Sequence, residues 1–387
     1  MAQQSRYAVV SFDANSFMEP GSMMSREQIL TRMARHNVVI HSTPPSGRHV
    51  PVPPSGLSKV GDNLYCYSNP SWLPRIYRWP AVDRFANRLR SLHRRNLIRS
   101  RAGNLPRVIY LWHPLFIDEV NRYQRSLLVY HIYDDYAGLP NAAAETARQE
   151  RKALEQADLV FVANAQLLRD RQRTFDRPYI HLPQGVDFEA FERVRKGTRQ
   201  PTPELENIRP PRIGYVGRLN DKVDLDLVLQ LARARPNYSF VFIGPVEHRE
   251  LGSRAETLAQ CRNVHFLGPQ DYGKVPSCLS QIDVAIVPYR QEPGQWAFYG
   301  SPLKLREALA AGKPVIASSI SDVDAFGDLV RSARGVEDWL AQIDQALTEG
   351  TDRACVTAKI DYARRNSWDA RVSLIDSLIR EHLSQQT

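Results

Sequence analysis

The stretch "RIGYVGRLNDKVDLDLVLQLARARPNYSFVFIG", residues 212–244, reads as a strand, a turn, a helix and a second strand. "RIGYVG" (212–217) and "YSFVFIG" (238–244) are short apolar runs closed by glycine, whereas "LDLVLQLARAR" (225–235) repeats its apolar residues at helical spacing. Two strands joined by a crossover helix are the unit from which parallel sheets are wound. The alternation continues through "VHFLG" (264–268), "DVAIVPY" (283–289) and "PVIAS" (314–318), with helices in "GKVPSCLSQI" (273–282) and in "SPLKLREALAAGKPVIAS" (301–318).

The first half repeats the pattern. "YAVVSF" (7–12), "NVVIHS" (37–42), "RVIYLWH" (107–113), "LLVYHIY" (127–133) and "ADLVFVAN" (157–164) are strands, and "SREQILTRMARH" (25–36) and "AAAETARQERKALEQ" (142–156) are helices. Pro, Gly and charge mark 182–211 as a junction. The expected division is therefore 1–190, a linker over 191–211, 212–365, and a C-terminal helix over 366–387 that crosses back to the first domain. The fold class is α/β, two doubly wound sheets whose ligands bind outside the carboxyl ends of the strands, in a cleft between facing domains.

Bulk composition narrows the classes. The chain has 387 residues, 43% of them hydrophobic, and four cysteines without CxxC spacing, which fits neither a disulfide framework nor a zinc site. No apolar run approaches a membrane span and the N-terminus lacks a signal-peptide pattern, so a cytoplasmic protein is expected. The net charge of +9 is localised: residues 72–107 carry ten arginines and one acid, while the rest of the chain holds 41 charges of each sign. On a helical wheel Phe85, Ala86, Leu89, Leu92 and Leu97 share one face, flanked by Arg84, Arg88, Arg94, Arg95 and Arg99, with Trp72, Tyr77 and Trp79 upstream. Either the stripe packs on its own domain, or arginines and tryptophans meet an anionic membrane surface. No nucleic-acid motif accompanies the basic segment.

The turns after the strands hold the unusual residues. Arg218 and Lys222 lie between a strand and a helix, where backbone N–H groups already favour phosphate, although solvated surface cations fit the same pattern. Ser301 is placed to cap the next helix and Pro302 suits its first position, yet Lys304 puts a cation where the helix dipole is already positive. A diphosphate between Arg218, Lys222 and Lys304 resolves all three. Glu307, one turn on, is either an ion-pair partner for Lys304 or an acceptor for vicinal hydroxyls such as a ribose diol. Gly217, Gly244 and Gly268 end strands and admit a ligand close to the backbone, with Tyr272 as a wall or a packing residue.

In the first half, Asp134 and Asp135 end the strand 127–133, where adjacent acids either cap a turn or supply a general base. His113 and His131 are secondary candidates, each a catalytic group or a core residue. Arg26 and Gln28 open a helix and either orient an acceptor or cap it.

These residues give the chain a resemblance to GT-B glycosyltransferases of group 1 (family 4-like) type. The segments "ADLVFVANAQLL", "LPQGVDFEAF", "IGYVGRLNDKVDLDLVLQLA", "NVHFLGPQDYGKVPSCLSQIDVAIVPY", "SPLKLREALAAGKPVIAS" and "RNSWDARV" follow in the family's order. The likeness is greatest to exopolysaccharide and teichuronic-acid assembly enzymes, which carry a "DD" after a first-domain strand and an "RPQ" near the start; here these are Asp134-Asp135 and Arg26-Glu27-Gln28. The resemblance implies two Rossmann-like domains and transfer of a sugar from a nucleotide-diphosphate donor, UDP-linked, to a lipid-linked or polysaccharide acceptor, with no metal or other cofactor and no nucleic-acid partner. It implies donor contacts from Arg218, Lys222, Lys304 and Glu307, beside which Gly217, Gly244, Gly268, Tyr272, Ser301 and Leu305 would complete the donor side. Asp134 would be the base, and Arg26, Gln28 and His113 would lie on the acceptor side. It also implies docking on the inner face of the plasma membrane through the basic helix. The chain departs from the family's E-x7-E motif, whose first glutamate is Tyr299 here, and Arg218 and Lys222 are one residue closer than the usual pair. A GT-B-fold sugar-nucleotide epimerase and a non-catalytic glycan- or lipid-binding protein are the alternatives.

Overall fold

The computed structural model describes residues 6–13, 25–42, 56–68, 80–136, 144–198, 202–291, 302–320, 323–349 and 352–386. The side chains of 80–84, 86 and 87 are outside the described set, and so are Trp72, Trp79, Tyr299 and Ser301. Two compact units form, Met1–Pro183 with Arg371–Thr387, and Gln184–Ala370.

The first unit is built on β1 (Ala8–Phe12), β2 (Val38–Ser42), β3 (Gly56–Gly61), β4 (Leu64–Ser68), β5 (Arg107–Leu111), β6 (Leu127–Ile132), β7 (Leu159–Val162) and β8 (Ile180–His181). Their order is β3-β4-β2-β1-β5-β6-β7-β8, parallel throughout except for β3 against β4. The second is built on β9 (Arg212–Val216), β10 (Ser239–Ile243), β11 (Val264–Phe266), β12 (Val284–Val287), β13 (Val315–Ser318) and β14 (Arg331–Ala333), all parallel in the order β11-β10-β9-β12-β13-β14. Strand order reverses beside β1 in one sheet and beside β9 in the other. A crevice therefore opens outside the carboxyl ends of β1 and β5, and another outside those of β9 and β12. Each sheet is that of a Rossmann-like doubly wound domain.

Alternation along the first sheet separates two faces. Ala8, Val10, Phe12, Ile109, Leu111, Leu128 and Tyr130 join one apolar core. The opposite face carries a buried polar strip. Trp112 Nε1 donates to Ser11 Oγ at 3.0 Å, Ser11 Oγ meets His41 Nδ1 at 3.0 Å, and His131 stacks on Trp112 with ring centroids 4.8 Å apart. His131 Nδ1 lies 2.9 Å from Tyr110 Oη, so of its two readings the core one holds. Burial pushes the His131 imidazole down to about 3. The folded protein keeps this ring neutral, whereas the unfolded chain takes up its proton below about pH 6.5. Stability from this group is present at neutral pH and lost as pH falls, by about 2 kcal/mol at pH 5. Urea denaturation should show His131→Phe losing about 2 kcal/mol less than wild type between pH 7 and pH 5; equal losses would refute the assignment.

The segment 191–211, expected as a linker, belongs to the second unit. It is flanked and crossed by the helices Phe188–Arg195 and Pro203–Glu206, and Phe188, Phe191, Leu205 and Ile208 are buried with Val241, Ile243 and Ile282. The C-terminal helix Trp368–Ser384 ends in the first unit. There Tyr7 Oη donates to Asp376 Oδ1 at 2.7 Å and Arg380 Nε to Asp376 Oδ2 at 2.7 Å.

The basic helix runs over Pro80–Ala102, and its orientation corrects the wheel. Arg94 does not face outward. It is buried, lies over the Tyr67 ring at 4.8 Å, and donates to Glu119 Oε1 at 3.0 Å and to Tyr123 Oη at 3.2 Å. Its neighbours on the packed side are Arg90, Ser91, Ile98 and Ala102, while Phe85 and Leu92 are 63% and 43% exposed. A buried arginine with a carboxylate, a phenol and two aromatic faces around it is a packing element as well as a charge. The outward face is formed by Phe85, Arg88, Leu92, Arg95 and Arg99.

Candidate functional site

In the second unit the three strand-end glycines lock together. Gly217 N donates to Ile243 O at 2.8 Å and Gly244 N donates to Gly268 O at 2.9 Å, so the ends of β9, β10 and β11 are drawn into one rim. Only glycine fits at two of these points. Gly244 has φ +145°, and a Cβ there would lie 2.1 Å from the Gly217 carbonyl oxygen. Gly217 has φ +144°, and its Cβ would lie 2.8 Å from Lys304 Cε. The lysine side chain thus crosses directly over the backbone at the end of β9.

Lys304 opens the helix Leu303–Ala310, whose N-cap is Pro302, without a side-chain cap. The helix begins one residue later than expected, with Pro302 at its N-cap rather than at its first position. Lys304 Nζ donates to Tyr289 Oη at 2.6 Å and sits 5.1 Å from the Tyr215 ring centroid. Burial works against its charge, and the phenols of Tyr215 and Tyr289 outweigh that and hold the ammonium above its ordinary pKa. Tyr215 Oη donates in turn to Arg218 O at 2.8 Å, pinning the turn after β9. Glu307 is buried and accepts from Tyr272 Oη at 3.0 Å. Burial raises its pKa, against the pull of Tyr272 and of the Lys304 charge. Among the described residues Lys304 and Glu307 form no ion pair: Glu307 takes its hydrogen bond from Tyr272 and Lys304 gives its own to Tyr289.

The other donor-side candidates are less exclusive. Arg218 is exposed and paired with Glu247. Lys222 is half-buried and its carbonyl accepts from Arg290 N at 2.8 Å. Leu305 is fully buried in the apolar core, so its side chain is removed from any ligand contact.

In the first unit Asp134 and Asp135 follow β6. Asp134 is exposed at the carboxyl end, with Oδ1 accepting from Asp135 N at 3.0 Å. Asp135 is engaged elsewhere: Arg171 Nη2 donates to its Oδ1 at 2.7 Å and also pairs with Glu150 at 3.1 Å. His113 follows β5 and caps the turn Pro114–Phe116, its Nδ1 accepting from Leu115 N at 3.3 Å. Its ring lies 4.2 Å from that of Tyr136, and burial lowers its pKa, partly offset by Asp13.

Arg26 and Gln28 are buried rather than displayed. Arg26 pairs with Asp13, just after β1, and with Glu27, while Gln28 Oε1 accepts from Arg32. Glu27 Oε2 and Gln28 Nε2 are buried without a hydrogen-bond partner among the described residues. Leaving such atoms unpaired costs about 1–3 kcal/mol each, which favours a polar occupant beside them. Asp13, Arg171, Tyr215 and Tyr289 are not singled out by the sequence. Tyr215 in "GYVG" and Tyr289 in "IVPY" could have been found from their places at strand ends flanking Lys304. Among the described residues, no helix is long and apolar enough to cross a membrane and no group of three or more His, Cys, Asp or Glu could hold a metal ion.

Comparison with known proteins agrees with this architecture. Residues 210–351 match the family model for glycosyl transferases group 1. TuaH of Bacillus subtilis (strain 168), whose name assigns it to teichuronic acid biosynthesis as a glycosyltransferase, is 26% identical over 264 residues, 64% of this chain and 65% of that protein. A GDP-mannose-dependent monoacylated alpha-(1-6)-phosphatidylinositol monomannoside mannosyltransferase of Corynebacterium glutamicum is 26% identical over 175 residues, 42% of this chain and 44% of that one. The matched region thus spans less than two thirds of either relative. Sucrose-phosphate synthase from Thermosynechococcus elongatus shares the fold with a TM-score of 0.70 at 15% identity, over 98% of this chain and 100% of that one. WaaG, a glycosyltransferase involved in lipopolysaccharide biosynthesis, does so with 0.62 at 16% identity, over 96% and 99%. The chain has the two-domain GT-B fold, and its residues 210–351 are similar to the glycosyl transferases group 1 family.

Proposed function

We propose that the protein is a glycosyltransferase of bacterial cell-surface glycan synthesis that moves a sugar from a UDP-linked donor to a hydroxyl of a lipid-linked or polysaccharide acceptor. The observation that carries this reading is Lys304, a cation laid over Gly217 at the start of a helix, with Glu307 buried one turn further on. The donor diphosphate rests against the rim of Gly217 and Gly244, and Lys304 with the helix N-terminus stabilises the charge that collects on it as the glycosidic bond breaks. A metal is unnecessary in this scheme because the protein supplies that positive charge itself. The exposed ion pair of Arg218 with Glu247 costs little to open, so the guanidinium joins the diphosphate on binding. Glu307 keeps Tyr272 on one oxygen and offers the other to the ribose.

Asp134 is the base in this reading: it is exposed at the end of β6, whereas Asp135 is tied to Arg171. It takes the proton of the acceptor hydroxyl as that oxygen attacks the anomeric carbon, which in a single displacement inverts the configuration. The polar atoms of Glu27 and Gln28 contribute acceptor contacts. The outward face of the helix Pro80–Ala102, with Phe85 and Leu92 between Arg88, Arg95 and Arg99, rests on the anionic inner surface of the plasma membrane.

The test is nucleotide release from UDP-, GDP- and dTDP-sugars, with and without a bacterial lipid extract. Release should require the extract and the UDP donor, and Asp134→Asn should lower it about 100-fold. No release with any donor overturns the transferase, and release unaffected by Asp134→Asn overturns the base. An NMR assignment of the product anomer as retained would refute the single displacement.

A further inference from the structure

A second basic site lies in the first unit, away from the carboxyl ends of its strands. A cavity of about 620 Å³ opens between the second half of the helix Pro80–Ala102, the start of β5 and the turn that precedes β6. Its floor is Val10 and Ile109, and its walls carry Arg95, Arg99, Arg107 and Arg122 together with three asparagines and a glutamine. Among the described residues no carboxylate lines it.

The charges here are unequally compensated. Glu119, the acid nearest in the network, accepts from Arg122 at 3.0 Å and from Arg94 at 3.0 Å, and takes two further bonds from Ser91 Oγ at 2.7 Å and Tyr123 Oη at 2.9 Å. Arg122 thus has an acidic partner, which it shares with Arg94. Arg95, Arg99 and Arg107 form no ion pair among the described residues. Arg107 Nη2 reaches only the Gly103 carbonyl, at 3.3 Å, and its Nε is buried without a partner. Like charges converging on one concave surface repel one another and persist where an anion offsets them. Guanidinium groups present paired N–H donors that match phosphate oxygens, and the side-chain amides around them complete such a shell.

We infer that this cavity binds a phosphate-bearing anion of about three negative charges, the diphosphate class, at a site separate from the donor site. Three uncompensated guanidinium groups set the charge, and the cavity volume suits a small phosphorylated molecule or a phosphorylated headgroup. Arg95 and Arg99 also border the outward face of the same helix, so the anion can arrive either from solution or from a lipid surface.

Calorimetric titration with inorganic pyrophosphate tests this. Wild type should show binding that survives Lys304→Ala, and adding Arg95→Ser and Arg99→Ser to that variant should weaken it at least about tenfold; both arginines are exposed, so the fold is spared. A fall from two binding events to one with Lys304→Ala reports on the donor site and the event that remains on this cavity, so the two readings fail separately. Vesicles of phosphatidylglycerol that displace pyrophosphate from the Lys304→Ala protein identify a headgroup as the source, and vesicles that leave it bound identify a soluble anion; either result supports the site. Pyrophosphate affinity unchanged by the arginine substitutions, or no binding to the Lys304→Ala protein, overturns it.

Discussion

Lys304→Ala is expected to lower kcat/KM for the nucleotide-sugar about a thousandfold, the equivalent of about 4 kcal/mol at the transition state. The ammonium is held in place by Tyr289 at 2.6 Å and by the Tyr215 ring, so it needs no rearrangement when a diphosphate arrives. Preorganised charge in a water-poor site is where one side chain has its greatest effect on a leaving group. Lys304→Met separates the charge from the packing, since a thioether side chain of similar length still covers Gly217. Both variants should lose activity alike in steady-state kinetics while circular dichroism stays native. A loss of less than about fivefold in either would remove Lys304 from the donor site.

Gly244→Ala should destabilise the second unit by about 4 kcal/mol. A residue other than glycine at φ +145° is strained, and the new methyl group would sit 2.1 Å from the Gly217 carbonyl oxygen. That oxygen belongs to the backbone and cannot swing aside, so the ends of β9 and β10 must separate and the 2.8 Å bond from Gly217 N to Ile243 O is sacrificed. Gly273→Ala, in the same unit, is the control: its φ lies outside the left-handed region and nothing lies within 4 Å of the new Cβ, so the cost stays within about 1 kcal/mol. Urea denaturation of the two variants should differ by about 3 kcal/mol, and equal midpoints would show that the strand-end rim is not rigid.

Both expectations concern features that were visible in the sequence, and the reason is locality. Lys304, Glu307, Gly217 and Gly244 stand out against the helix or strand that carries each of them, and the alternation of strands and helices sets which ends they occupy. The misreadings share the opposite cause. Arg94 and Arg95 stand about 100° apart on a helical wheel, both at the flanks of the apolar stripe, and only Glu119 and Tyr123, 25 and 29 residues beyond Arg94, decide that Arg94 turns inward. Asp135 looks equivalent to Asp134 until Arg171 is brought beside it from a distance of 36 residues. The hairpin of β3 and β4 follows a proline-rich stretch and includes glycines at both ends of β3, so its composition resembles the loop before it. The segment 191–211 is polar on average, and its few apolar residues are the ones that pack.

The pairing of Tyr7 with Asp376 spans 369 residues. A chain emerging from the ribosome exposes β1 first and the helix that bonds to its start last. The second unit is a continuous segment and completes its contacts while the first still lacks a part. Order of synthesis and order of completion are therefore reversed: the domain begun first is finished second. A chain truncated after residue 370 should hold a protease-resistant second unit beside a first unit that is still open to cleavage.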